Sequence, residues 1–306
     1  MNERVPAGLS SREDVRHLLG VRGDLTATPS VLVEGPAEDV GDGLTLRRLV
    51  LGTDGRDPLP CLLMAPAATG PWPAVVALHQ HDAQFDLGKS EPAGLCGDPA
   101  LAYGRASARR GAAVLMPDLT GFEERRSGGP DDTRAHRMLA FRLLVEGTTL
   151  QARHVEDVAT CVSWLEGSGT ALPGVGLIGH SLGGQVAFFA AACDERVRAV
   201  VISCGLGTVS SFHREDIEHN PAWYVPGLAA VGDSPAVASV AHGQSFWVSG
   251  GNRDPLFPVD GLRQTVAALP RGVGALRVFD GGHGWPPDLL TESVDWLVAA
   301  LRGRVP

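Results

Sequence analysis

Gly179-His180-Ser181-Leu182-Gly183 is a G-x-S-x-G pentapeptide set between an apolar run, Val175–Ile178, and an apolar helical stretch, Gln185–Ala192. A serine on so tight a strand-to-helix turn is held in a strained backbone with its hydroxyl clear of the sheet edge. Glycines must flank it, because side chains there would strike the neighbouring strand and helix. The amide of Leu182 opens the helix, so that amide and the helix dipole both favour a developing oxyanion beside the serine. This is the equipment of nucleophilic acyl transfer. The pentapeptide alone also arises by chance in a chain with 39 glycines; the strand and helix on either side select the nucleophile reading for Ser181.

An activated serine needs a base, and the base needs an orienting acid. For a nucleophile on a strand–turn–helix elbow the chain order is Ser, then Asp or Glu, then His. Asp254 follows the run Phe246–Val248, and His283 follows Leu276–Phe279. Both therefore fall in loops at carboxyl ends of strands, on the edge that carries Ser181. The reading makes His283 the general base and Asp254 its acid. Asp254-Pro255 could equally start a turn, and Asp280 and Asp260 compete for the acid role. His180 reads as a packed residue of the elbow.

His79-Gln80-His81-Asp82 ends another apolar run, Ala74–Leu78. If this loop borders the serine, its amides can join that of Leu182 in meeting the oxyanion, and His81, with Gln80 next, is the expected donor. The competing chemistry is metal binding, because H-x-H is a common ligand pair. A metallo-β-lactamase pattern needs a further His after the Asp, and an amidohydrolase barrel needs more His and Asp ligands on later strands. Here the later His and Asp are used by the serine constellation. No metal and no cofactor is expected.

The elements that must position these residues are short continuous apolar runs, 74–78, 112–116, 175–178, 197–202 and 246–248, which suit strands buried on both faces of a parallel sheet. Helical stretches alternate with them at 101–109, 149–165, 185–192, 259–269 and 289–301. Strand–helix alternation over such a length predicts an α/β layered sheet, mostly parallel, with helices on both faces. Two strands before it, 44–51 and 62–65, are joined by the turn-rich Gly52-Thr53-Asp54-Gly55 and suit a hairpin. Residues 1–40 hold one helix, near 11–19, and read as an N-terminal helical extension to the domain 41–306. Residues 205–244 lie between two strands and carry three prolines and several aromatics. A connection of that length inside a compact domain is usually functional, and it reads as a cap.

Of the 306 residues 44% are hydrophobic and 20% charged, with a net charge of −9. That is an ordinary globular composition without the basic face a nucleic-acid partner requires. No run is long enough to span a bilayer. The N-terminal residues are charged throughout, with no apolar signal segment. The five cysteines are odd in number, widely spaced and without a CxxC pair; they suit a reducing, cytoplasmic setting. Nothing in these residues sets an oligomeric state.

The pocket is expected to draw on the cap aromatics Phe212, Trp223 and Tyr224, on Trp285 just past His283, and on the loop Phe122-Glu-Glu-Arg-Arg126. In that loop Glu123 and Arg125 form either a polar wall for the substrate or a salt-bridged brace. Lys89-Ser90-Glu91 poses the same choice, with the brace favoured.

Taken together, these stretches resemble the dienelactone hydrolase-like and acetylxylan esterase-like branch of the α/β-hydrolase superfamily. The resemblance runs from about Pro73 to the C-terminus. It rests on the His79-Gln-His start, Leu87-Gly-Lys-Ser-Glu-Pro-Ala-Gly-Leu95, Met116-Pro-Asp-Leu-Thr-Gly-Phe-Glu-Glu-Arg-Arg126, the Gly-His-Ser-Leu-Gly-Gly elbow, Ser203-Cys-Gly, and Asp254-Pro-Leu-Phe-Pro-Val259. It implies an α/β-hydrolase fold and cofactor-free hydrolysis of a small-molecule carboxylic ester. The sequence departs from dienelactone hydrolases in having Ser rather than Cys at 181. Other acyl chemistry (a thioesterase, lactonase, acyltransferase or cyclase) uses the same residues, and a non-catalytic binding protein on this fold is the remaining alternative.

Overall fold

The strand Trp72–Leu78 shows how the sequence builds the centre. Ala74, Val76 and Leu78 join one apolar cluster, and Val75 and Ala77 join the other. Successive side chains point to opposite faces, so a strand covered on both sides is apolar throughout. The computed structural model describes residues 8–53, 55–127, 132–270 and 274–304.

Its strands are β1 (Val31–Glu34), β2 (Glu38–Asp39), β3 (Leu44–Leu51), β4 (Leu59–Pro66), β5 (Trp72–Leu78), β6 (Ala113–Pro117), β7 (Ala171–His180), β8 (Val197–Ser203), β9 (Ser245–Gly251) and β10 (Gly274–Phe279). They form one sheet in the order β1-β3-β4-β6-β5-β7-β8-β9-β10, with β2 also on β3. Every pairing from β6 to β10 is parallel, and those on the β1–β4 side are antiparallel. The expected hairpin is present, with Leu44 opposite Pro66 and Leu51 opposite Leu59. Its second strand starts three residues earlier than the apolar run suggested, because Pro58 and Pro60 mask the start of the pattern. Asp54 in its turn and residues 1–7 of the N-terminal segment lie outside the described residues.

The helices α1 (Arg12–Leu19), α4 (Leu150–Gly167), α5 (Leu182–Cys193), α7 (Asp233–Ser239) and α8 (Val259–Ala267) send apolar residues into the first cluster. The helices α2 (Tyr103–Arg109) and α9 (Pro287–Leu301) cover the other face. α5 is buried on every side, as an all-apolar helix must be. Ser11 and Asp14 close a capping box on α1, and Val15 and Leu19 of this helix belong to the same cluster as α5. The segment expected to be only a helical extension also supplies β1 and β2.

Two connections between sheet elements carry helices of their own. α6 (Val209–Arg214) and α7 lie within residues 205–244, where a cap was expected. α7 packs on α5 and α8 as part of the helical layer. The other helix is α3 (Asp132–Val145), between β6 and α4. Its pattern is hard to read in sequence because apolar residues surround it: Ala140 and Leu143 are buried, while Met138, Phe141 and Val145 are exposed.

Candidate active site

Ser181 sits between β7 and α5 at φ 52°, ψ −119°, a left-handed backbone that side chains disfavour and that costs on the order of 1–3 kcal/mol. The surroundings hold it there. Its amide donates to the Ser203 carbonyl at 2.9 Å, and its carbonyl accepts from the Gln185 amide at 3.0 Å. A Cβ on Gly183 would lie 1.8 Å from the Leu78 carbonyl oxygen, and one on Gly179 would lie 2.2 Å from the Gly183 carbonyl carbon. Only glycine fits either position, which is the physical content of the pentapeptide. Leu182 begins α5, so its amide lies in the first turn, where helix amides lack intrahelical partners.

Asp254 leaves the end of β9 and His283 the end of β10. Nδ1 of His283 stands 2.8 Å from Oδ2 of Asp254. Oδ1 of Asp254 accepts the amides of Leu256 at 2.8 Å and Phe257 at 3.1 Å. Burial works to raise the Asp254 carboxyl. The His283 contact and the two amides outweigh it and hold the group below the usual carboxylate range. The rival acids face away. Asp280 pairs with Arg253 and Asp260 with Arg214, both at exposed positions. The Phe257 ring stacks on His283, with centroids 5.6 Å apart and planes 8° apart. His180 is buried against Trp285 and 3.3 Å from Ser203 Oγ; burial pushes it down to about 3.

In the loop after β5, both nitrogens of His79 are used. Nδ1 bonds the Gln80 carbonyl at 2.8 Å and Nε2 accepts the Leu119 amide at 3.0 Å. That ring braces two loops and has no nitrogen left for a metal. Gln80 and His81 line a cavity of about 520 Å³ together with Ser181 and His283. α3 forms one wall through Thr133, His136, Arg137, Ala140, Phe141 and Leu144, spaced as one face of a helix must be. Glu218 to Pro221, Tyr224, Leu256 and Phe257 complete the rim.

The other residues expected in the pocket are placed elsewhere. Trp223 is 2% exposed and packs among Phe189, Phe212 and Phe257. Phe212 is buried in the same cluster, and Trp285 lies beneath the elbow between His180 and Tyr103. None of the three lines the cavity; of the expected cap aromatics Tyr224 does. An irregular segment has no periodicity to say which neighbouring ring turns inward. Trp223→Ala is therefore expected to cost about 3–5 kcal/mol of stability, the usual loss for a large buried ring, and to leave substrate preference intact. Tyr224→Ala should shift preference at little cost in stability. Urea denaturation and an ester panel on both variants check this. A changed preference in Trp223→Ala with unchanged stability would contradict it.

Glu123 and Arg125 are braces rather than pocket wall. The ammonium of Lys89, 3% exposed, lies 2.6 Å from Asp118, 2.6 Å from Glu123 and 2.8 Å from Glu124. Glu123 also takes the Ser90 amide and hydroxyl, and Arg125 is tied to the buried Asp157. These contacts clamp the loop after β5 to the loop after β6. Burial pushes Asp118 up to about 6 despite the ammonium beside it. Removing one partner of a buried ion cluster leaves uncompensated charge. Lys89→Met should lower the unfolding free energy by about 3–5 kcal/mol, measured by urea denaturation; a loss below about 1 kcal/mol would show that the clamp is not structural.

A family model described as the alpha/beta hydrolase fold matches residues 94–241. YtaP of Bacillus subtilis (strain 168), whose name assigns it only provisionally to the hydrolases, is 26% identical over 274 residues, covering 85% of this chain and 88% of the relative. Acetyl xylan esterase 1 from Thermoanaerobacterium sp. JW/SL YS485 superposes with a TM-score of 0.66 at 16% identity, covering 95% of this chain and 96% of that one. A cold-adapted esterase from an Arctic intertidal metagenomic library superposes with a TM-score of 0.61 at 19% identity, covering 87% and 97%.

Proposed function

The chain has the α/β-hydrolase fold, and on that premise we propose that it is a serine-dependent carboxylic ester hydrolase acting on a small-molecule ester. One observation carries the reading: a strained Ser181 at the start of α5 shares a cavity with a His283 whose Nδ1 is 2.8 Å from Asp254. The Asp254 carboxylate keeps the proton of His283 on Nδ1, so Nε2 is free to accept the Ser181 proton. The Ser181 oxygen attacks the ester carbonyl. The resulting oxyanion is met by the Leu182 amide and by an amide of the loop after β5, that of His81 or Gln80. Collapse breaks the bond to the alcohol, which leaves with the proton from His283. Water, deprotonated by the same nitrogen, then releases the acid and restores Ser181. No step calls for a metal or a cofactor.

Labelling tests this directly. A fluorophosphonate probe should modify Ser181 stoichiometrically, and ester hydrolysis should release free acid at a rate unchanged by dialysis against a strong chelator. A folded sample that neither labels nor hydrolyses esters would favour a binding protein. Transfer to an added alcohol or amine in place of acid release would favour an acyltransferase.

No helix among the described residues is long and apolar enough to cross a membrane. The five cysteines are free, with Cys96 exposed, and we infer a reducing, cytoplasmic setting.

A further inference from the structure

His81 and His136 meet in the wall of the catalytic cavity, with ring centroids 5.4 Å apart. Nδ1 of His81 accepts the Ala83 amide at 3.0 Å. An amide has only a proton to offer, so Nδ1 carries the lone pair and Nε2 carries the hydrogen. That Nε2–H is buried and has no acceptor among the described residues. His136, on α3, is 4% exposed, and neither of its nitrogens completes a hydrogen bond among the described residues. A neutral imidazole carries one N–H and one lone pair, so one His136 nitrogen is a free acceptor. Burial pushes His81 down to about 4 and His136 to about 3, so both rings are neutral near pH 7. Orphaned polar atoms of this kind are rare in native interiors. Here a donor and an acceptor are left over side by side, and Phe85 packs against both rings, 5.1 and 5.3 Å away.

We propose that His81 and His136 form a subsite for one hydroxyl group of the substrate, with His81 Nε2–H donating to its oxygen and the free nitrogen of His136 accepting its proton. The proposal rests on the reading of Ser181 as nucleophile in the same cavity, and it makes the substrate a hydroxyl-bearing ester. A ketone oxygen would leave the His136 nitrogen unpaired, and an ammonium would leave the His81 donor unpaired. A carboxylate would bring its charge to two neutral rings; the nearest cation on this wall, Arg137, faces Glu218 at 3.8 Å. A metal would need a third ligand, and the groups of three ligands among the described residues do not include this pair. The adjoining wall of Ala140, Leu144 and Leu150 is apolar, so the hydroxyl should sit on an aryl or alkyl body.

The test is a panel of ester pairs that differ only by hydroxyl against hydrogen, and by hydroxyl against methoxy, at successive positions on phenylacetyl and acyl chains. The wild type should favour at least one hydroxylated member by about 10- to 100-fold in kcat/KM, because a site built to hydrogen-bond a hydroxyl discriminates against its absence. In His136→Phe that ratio should fall to about one. His136→Gln, whose side-chain oxygen can still accept, should retain part of it. Fluorophosphonate labelling of each variant checks that Ser181 and the fold are intact. Labelling and turnover with no hydroxyl preference in the wild type, or a preference that survives in His136→Phe, overturns the subsite and leaves the serine reading standing. Absence of both labelling and turnover in the wild type overturns both.

Discussion

Ser181→Ala is expected to lower kcat for ester hydrolysis by about a millionfold, the scale lost when a nucleophile acting as a unit with its base is removed. No neighbouring group can take over. The nearby thiol, Cys204, is buried and pushed up to about 12, so at neutral pH it is not a thiolate, and thiolate is the nucleophilic form. Water activated by His283 would still find the oxyanion donors, which sets the residual rate. The fold should survive, because alanine keeps the Cβ at the same φ of 52° and the elbow is held by backbone hydrogen bonds that do not involve the hydroxyl. The measurement is single-turnover hydrolysis beside a thermal melt. A clean variant with an unchanged melt and a rate within tenfold of wild type would remove Ser181 from the mechanism.

Asp254→Asn should cost about ten-thousandfold in kcat, the loss for the same change in the serine-protease triad. The hydrogen bonds around Asp254 explain why. Oδ1 receives the amides of Leu256 and Phe257, so an asparagine must turn its carbonyl oxygen to them. Its NH2 group then faces His283 Nδ1, which must accept. The imidazole proton moves to Nε2, the nitrogen that has to receive the Ser181 proton. Asp280 offers no rescue, since it is 74% exposed and paired with Arg253. A pH series adds a check that activity does not. The folded carboxyl lies below its ordinary value, so the stability it contributes is present above about pH 4, near the unfolded value. That share is lost as pH falls through the folded value, and Asn should lack this part of the acid transition. An Asp254→Asn enzyme within tenfold of wild type would mean that another group orients His283.

The sequence by itself determined the central architecture and the strand ends near which the candidate site residues stand. A strand buried on both faces must be apolar throughout, so 74–78, 175–178 and 197–202 announce parallel strands without reference to anything distant. An elbow this tight admits only glycine where the backbones nearly touch, so Gly179 and Gly183 are readable in a five-residue window. Chain order and the apolar runs put Ser181 and His283 at strand ends on one edge and left Asp254, Asp280 and Asp260 as candidate acids; the fold sets Asp254 against His283. Tertiary structure decided what depends on partners far along the chain. Whether Glu123 faces substrate or clamps a loop is settled by Lys89, thirty-four residues earlier, and Arg125 is likewise claimed by Asp157. Trp223 and Tyr224 are adjacent and chemically alike, yet one fills the core and the other lines the cavity, because an irregular turn has no period to orient them. The α3 wall escaped the sequence because its apolar residues are not confined to the face it buries: Met138, Phe141 and Val145 are exposed, so no single stripe marks the helix. The unsatisfied nitrogens of His81 and His136 exist only in the fold: a histidine becomes a site through the partners it lacks after burial, and burial is set by the whole structure.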